Sequence, residues 1–105
     1  MDKGVMNGIM RAREVEKRAV QRYGAAHQMV KAVEELGELQ QALAKLWNGD
    51  GDMETLVDHV LEEAADVEIM LAQIRMIFGA ARMDKWKKMK IERLARWLEE
   101  AGGDD

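Results

Sequence analysis

Apolar side chains recur at helical spacing in four segments of this chain, and glycine or Asn/Asp clusters fall between them. The pattern predicts helices over residues 9–23, 25–47, 53–78 and 81–101, with Gly24 and Gly79 as stops. The NGDGD stretch, residues 48–52, reads as a tight polar loop that turns the second and third segments into an antiparallel hairpin. GGDD at 102–105 reads as a frayed tail. The alternating aspartates of the loop suggest calcium, but the EF-hand spacing fails. The sixth position is Met53 rather than glycine, and the twelfth, counted from Asn48, is His59 rather than glutamate.

At about 100° per residue the second segment carries an apolar stripe of Val33, Leu36, Leu39, Leu43 and Trp47. Glu34 lies opposite it, while Lys31, Glu35, Glu38 and Ala42 form a separate row along one flank. The third segment has two apolar faces, one of Leu56, Val60, Val67, Leu71, Ile74 and Phe78, the other of Leu61, Ala65, Ile69, Ala72 and Met76. A helix apolar on two sides is expected to be buried on both, by its own chain and by a partner chain. Between those faces runs the row His59, Glu63, Asp66, Met70, with Glu63 almost inside the first face. Glu62 and Glu68 point elsewhere.

Folding the hairpin gives these acids a common address. Glu38 and Glu63 are equally far in sequence from the midpoint between Asp50 and Gly51, and so are Glu35 and Asp66. The expectation is a square of four carboxylates at one height, whose mutual repulsion a bound cation relieves. Oxygen-only donors suit a hard ion, Mg²⁺ or Mn²⁺, which leaves positions for water and phosphate. The competing explanation is a surface row of acids salt-bridged to Lys or Arg.

The fourth segment brings the opposite charge. Met83, Trp86, Leu94, Trp97 and Leu98 define an apolar arc with Lys90 in its middle and Arg93 at its edge. A lysine on a buried face needs an anion, either the carboxylates or a ligand's phosphates, unless its amine snorkels to water.

Composition narrows the class. With no proline, 48% apolar and 34% charged residues, the chain of 105 residues is expected to be a single all-α domain, an antiparallel bundle of about four helices. The absence of cysteine excludes disulfides and thiolate metal sites. No stretch predicts a membrane span or a signal peptide, so a cytoplasmic location is the default expectation. A net charge of −4 argues against nucleic-acid binding, although Arg82, Lys85, Lys87, Lys88, Lys90, Arg93 and Arg96 form a basic segment.

The stretches QMVKAVEELGELQQAL, HVLEEAADVEIMLAQIRMIFG and WKKMKIERLARWL together resemble the MazG-like nucleotide pyrophosphohydrolases of the all-α NTP pyrophosphatase superfamily, most closely the short single-domain phage and bacterial forms. The resemblance covers about residues 18–98 and includes the E-x-x-E and E-x-x-D signature as Glu35-Leu-Gly-Glu38 and Glu63-Ala-Ala-Asp66. It implies hydrolysis of a nucleoside triphosphate to the monophosphate and pyrophosphate, with Mg²⁺ held by Glu35, Glu38, Glu63 and Asp66. It further implies that Lys90 and Arg93 meet the phosphates, that Lys31 and Gln28 reach the substrate, and that the chain works as a homodimer or homotetramer. Glu38 is the candidate to take the proton of the attacking water. Tyr23, Trp47, Trp86 and Trp97 are stacking candidates for a base, with His27 or Gln28 as hydrogen-bonding ones, although packing explains each tryptophan as well. His59 reads as a fifth ligand or a hydrogen-bonded pocket wall. The alternative function is a non-enzymatic helical oligomerisation or adaptor module whose acids pair with the fourth segment.

Overall fold

The computed structural model describes residues 2–101, and all of its regular structure is helical: α1 (Lys3–Tyr23), α2 (Ala25–Asn48), α3 (Met53–Phe78) and α4 (Ala80–Ala101). The GGDD tail lies outside the described residues. The helix ends follow local chemistry. Asp2 caps α1 by accepting a hydrogen bond from the Val5 N–H at 2.9 Å, which starts the helix six residues before the apolar periodicity does. Periodicity reports a buried face, whereas a cap starts a helix whether or not its first turns are buried, so the predicted start at residue 9 is corrected to Lys3.

Gly24 separates α1 from α2 with φ 85°, a conformation few side chains tolerate, and its N–H bonds the Val20 carbonyl at 2.8 Å. Gly49 ends α2 in the left-handed region, φ 68° and ψ 33°, returning its N–H to Leu46. Asp52 then caps α3 through the Thr55 N–H at 3.1 Å and the Thr55 hydroxyl at 3.0 Å. The NGDGD stretch is thus a turn whose last aspartate is occupied by capping. At the far end of α3, Arg75 grips Asp84 through two bonds of 2.7 and 3.1 Å, tying α3 to the second turn of α4. No described helix is long and apolar enough to cross a membrane.

The α2–α3 hairpin is the packed part of the molecule. Its seam holds Ala32 and Ala42 from α2 against Leu56, Val67 and Met70 from α3, together with the buried polar side chains Gln28, Glu63 and Gln73. This corrects the expected α2 stripe. Leu39 is half-buried, but Val33, Leu36, Leu43 and Trp47 are exposed, Trp47 at 90%. The alanine face turns inward because small side chains let two helix axes approach closely. The larger residues stay on the neighbouring side. On α3, Leu61, Ile69 and Met76 of the second apolar face are exposed as well. Neither α1 nor α4 contains a buried residue, and Trp86, Leu94, Trp97 and Leu98 of the α4 arc face solvent in the single chain. Lys90 is therefore not a lysine in a core.

Candidate metal centre

Three of the four predicted carboxylates converge. Glu35 from α2 and Glu63 and Asp66 from α3 each offer an oxygen, and these oxygens lie within 4.8 Å of one another. Glu63 is buried and the other two are half-buried. The hairpin does this by ordinary means: an i, i+3 step keeps Glu63 and Asp66 on one side of α3, and antiparallel packing sets Glu35 beside them. Glu38, one turn beyond Glu35, is exposed and stands outside this group.

Two basic side chains answer the acids from the same helices. His59 Nε2 lies 3.4 Å from Glu63 Oε1 one turn earlier on α3, which makes it a partner of the buried carboxylate. Lys31 Nζ lies 3.1 Å from Glu35 Oε1 and 3.8 Å from Glu34 Oε2. Its hydrogen bond to Glu35, reinforced by the charges of Glu35, Glu34 and Asp66, raises the ammonium above its ordinary pKa. Lys31 is thus a counter-ion of the cluster across the hairpin. A single ammonium leaves three neighbouring carboxylates short of positive charge, and the donors are all hard oxygens. That combination fits a hard divalent cation.

Gln28 is engaged inside the hairpin. Its Oε1 accepts from His27 Nδ1 at 2.7 Å and its Nε2 donates to Gln73 Oε1 at 2.7 Å, deep in the seam. Gln73 Nε2 in turn donates to the Ile69 carbonyl at 3.4 Å. Both ends of the Gln28 amide are engaged, so it braces the hairpin while also lining the cleft beside Lys31. Gln73 escaped the sequence reading, yet its signal was present. Gln28 and Gln73 are as symmetric about the loop midpoint as Glu38 and Glu63.

A cleft of about 410 Å³ adjoins Lys31, lined by Tyr23, His27, Gln28, Val30, Lys31 and Glu34. On its wall the rings of Tyr23 and His27 stack, with centroids 5.1 Å apart and planes inclined by 22°. A larger cleft of about 840 Å³ lies between α1 and Met76 of α3, lined by Arg13, Glu14, Lys17 and Arg18 among others, and includes none of Glu35, Glu63 and Asp66. Lys90 and Arg93 are exposed on α4, and among the described residues neither pairs with a carboxylate. Trp47, Trp86 and Trp97 are likewise exposed, and none lines the cleft beside Lys31. Comparisons with family models, with curated proteins and with solved structures return no match.

Proposed function

We propose that this chain is a Mg²⁺-dependent nucleotide pyrophosphohydrolase of MazG-like type, converting an NTP or dNTP to the monophosphate and pyrophosphate in the cytoplasm as a homodimer or homotetramer. The observation that carries the reading is the convergence of Glu35, Glu63 and Asp66 across the hairpin, one of them buried. Those three residues would hold the cation, with Mn²⁺ as a substitute. A divalent cation held by these carboxylates would supply charge neutralisation for the phosphates and polarisation of the attacking water.

The chain's own groups supply the rest. Glu38 is exposed one turn beyond Glu35 and, among the described residues, engaged in no ion pair, so its carboxylate is available to take a proton from water. His59 orients the Glu63 carboxylate from one turn away. Lys31, once Glu35 turns to the ion, has an ammonium for the phosphates, a role it shares with Lys90 and Arg93 of α4. Gln28 braces the hairpin through Gln73 and, on the wall of the cleft beside Lys31, is also within reach of a substrate bound there.

A panel of canonical and modified NTPs and dNTPs with Mg²⁺, read out as pyrophosphate and monophosphate, tests the reading directly. Wild type is expected to release both products from at least one substrate, and Glu63→Gln to release neither. Glu38→Gln is expected to keep metal binding while kcat falls about 10²–10⁴-fold. Absence of both products across the panel, or full activity in Glu63→Gln, removes the enzymatic reading.

One observation favours the adaptor reading: Lys31 already pairs with Glu35 and Glu34. The internal partner of the acids is thus Lys31 on their own hairpin and not the fourth helix. Titration with Mg²⁺ or Mn²⁺ separates the two readings. The adaptor predicts no binding heat and no rise in Tm.

A further inference from the structure

One short pattern occurs twice in α4. Arg82-Met-Asp-Lys85-Trp86 and Arg93-Leu-Ala-Arg96-Trp97 each place an arginine, a second cation three residues on and a tryptophan directly after it. The two units are eleven residues apart, close to three full helical turns, so at about 100° per residue both face the same way. Arg82, Lys85, Trp86, Arg93, Arg96 and Trp97 thus fall within about 60° of one line along the helix.

This face is open and its cations are free. Trp86 and Trp97 are 59% and 61% exposed and lie about 16 Å apart along the axis. Beside the first, a cleft of about 370 Å³ is lined by Arg82, Lys85, Trp86 and Met89. Among the described residues, none of the four cations pairs with a carboxylate. Asp84, the nearest acid in sequence, lies almost opposite and is held by Arg75. Glu92 falls beyond the margin of the face, and Glu100 stands at its far end.

We propose that the repeated face of α4 binds single-stranded nucleic acid, each tryptophan stacking on a base while the two cations beside it hold phosphates. Rings interleaved with cations on one surface suit a polymer that presents a flat base and a negative charge at every step. From Arg82 to Trp97 the face runs about 22 Å, room for about four nucleotides, the short end of single-strand sites. The net charge of −4 does not oppose this, because it is unevenly spread: α4 has seven basic and four acidic residues, and the acids concentrate on the hairpin. Repulsion from the hairpin confines a polyanion to α4. The basic cleft on α1 fits less well, since no aromatic ring lines it beside Arg13, Lys17 and Arg18. A lipid surface is the poorer occupant as well. A membrane-lying helix separates its apolar and cationic faces, whereas here Lys87 and Lys90 interrupt the apolar arc. The inference shares only Arg93 with the proposed function and needs neither metal nor turnover.

Labelled oligothymidylate and oligouridylate of about ten nucleotides, titrated with the full chain in EDTA and followed by fluorescence anisotropy, test this. Both are expected to bind at low salt and to quench tryptophan emission. Four phosphate contacts predict a loss of about 50-fold in affinity between about 50 and 200 mM salt. The double change Trp86→Ala, Trp97→Ala is expected to weaken binding about fivefold or more. Arg82→Ala with Arg96→Ala should halve the salt slope, and Arg13→Ala with Lys17→Ala on α1 should change nothing. All six positions are exposed on helices, where alanine is well tolerated. Failure of both oligonucleotides to bind at low salt overturns the proposal, including the case in which phosphatidylserine vesicles quench the tryptophans instead. Unchanged affinity in the tryptophan variant, or a duplex bound as tightly as the single strand, overturns it too. Oligonucleotide binding without turnover of any NTP removes the pyrophosphohydrolase reading alone, while turnover without oligonucleotide binding removes this inference alone.

Discussion

Every buried side chain among the described residues belongs to the α2–α3 hairpin, whereas α1 and α4, equally well formed as helices, bury none. The two regions also differ in charge. Between Ala25 and Phe78 acids outnumber bases eleven to three, while α4 carries seven basic residues against four acidic ones. Both outer helices are amphipathic, and apolar residues of the α4 arc such as Trp86, Leu94 and Trp97 stay largely exposed. Amphipathicity thus fixes which face a helix will bury when something is there to bury it, not that burial occurs within one chain. The hairpin packs because its loop delivers α3 back along α2 and alanines let the two axes close; α4 is tied to α3 by Gly79 and the Arg75–Asp84 pair.

Substitutions can break that contrast, beginning with the largest effect. Glu63→Leu should abolish both activity and the Mg²⁺-induced rise in Tm, while raising the metal-free Tm. A carboxylate wedged beside Glu35 and Asp66 is replaced by an apolar group in an apolar seam. Each kcal/mol gained corresponds to about 4–8 °C in a domain of this size. Thermal melts with and without Mg²⁺ decide it; a variant that folds poorly yet still binds the ion contradicts the cluster.

Next comes packing. Ala42 is 1% exposed, so Ala42→Leu should cost about 1–3 kcal/mol by forcing the helices apart. Ala95→Leu on exposed α4 should stay within about 0.5 kcal/mol. Urea titrations of the two variants measure the difference between the regions, and equal effects would erase it.

The buried amides give a sharper version. Gln73→Ala should cost about 1–3 kcal/mol because it strands the Gln28 amide, while the double change Gln28→Leu, Gln73→Leu should be closer to neutral. A double-mutant cycle reports that coupling.

The smallest effect belongs to the α3–α4 staple. Hydrogen bonding and charge from Arg75 lower the Asp84 pKa from its ordinary 3.8. The unfolded chain then binds this proton more readily, so the contribution is complete above the ordinary value and is lost as pH falls through the lower native one. The stability difference between wild type and Asp84→Asn should be small at neutral pH and disappear as pH falls through the lowered native pKa. Persistence of the difference at lower pH would show that Asp84 acts by something other than its charge.

Much of this molecule was legible before its fold. Glycine and aspartate punctuation marked the helix ends to within a residue except at α1, where the Asp2 cap sits outside the apolar periodicity. Symmetry about the loop midpoint set Glu35 level with Asp66, because antiparallel helices of equal rise match residues equidistant from their turn, whereas its partner pair, Glu38 with Glu63, did not come together in the cluster. The same rule also pairs Gln28 with Gln73, and it was blind there only because two glutamines raise no electrostatic alarm.

What the tertiary structure alone decided was rotation about each helix axis. Sequence periodicity defines faces relative to one another but does not say which face meets a neighbour, since that depends on how closely two surfaces can approach. On α2 the alanine row of Ala32 and Ala42 won over the larger stripe ending in Trp47. That turn drew Glu35 into the cluster, left Glu38 in solvent, and kept most of the larger apolar stripe exposed. Composition fixed the helices and the loop fixed their heights; close packing of small side chains fixed which way each acid points.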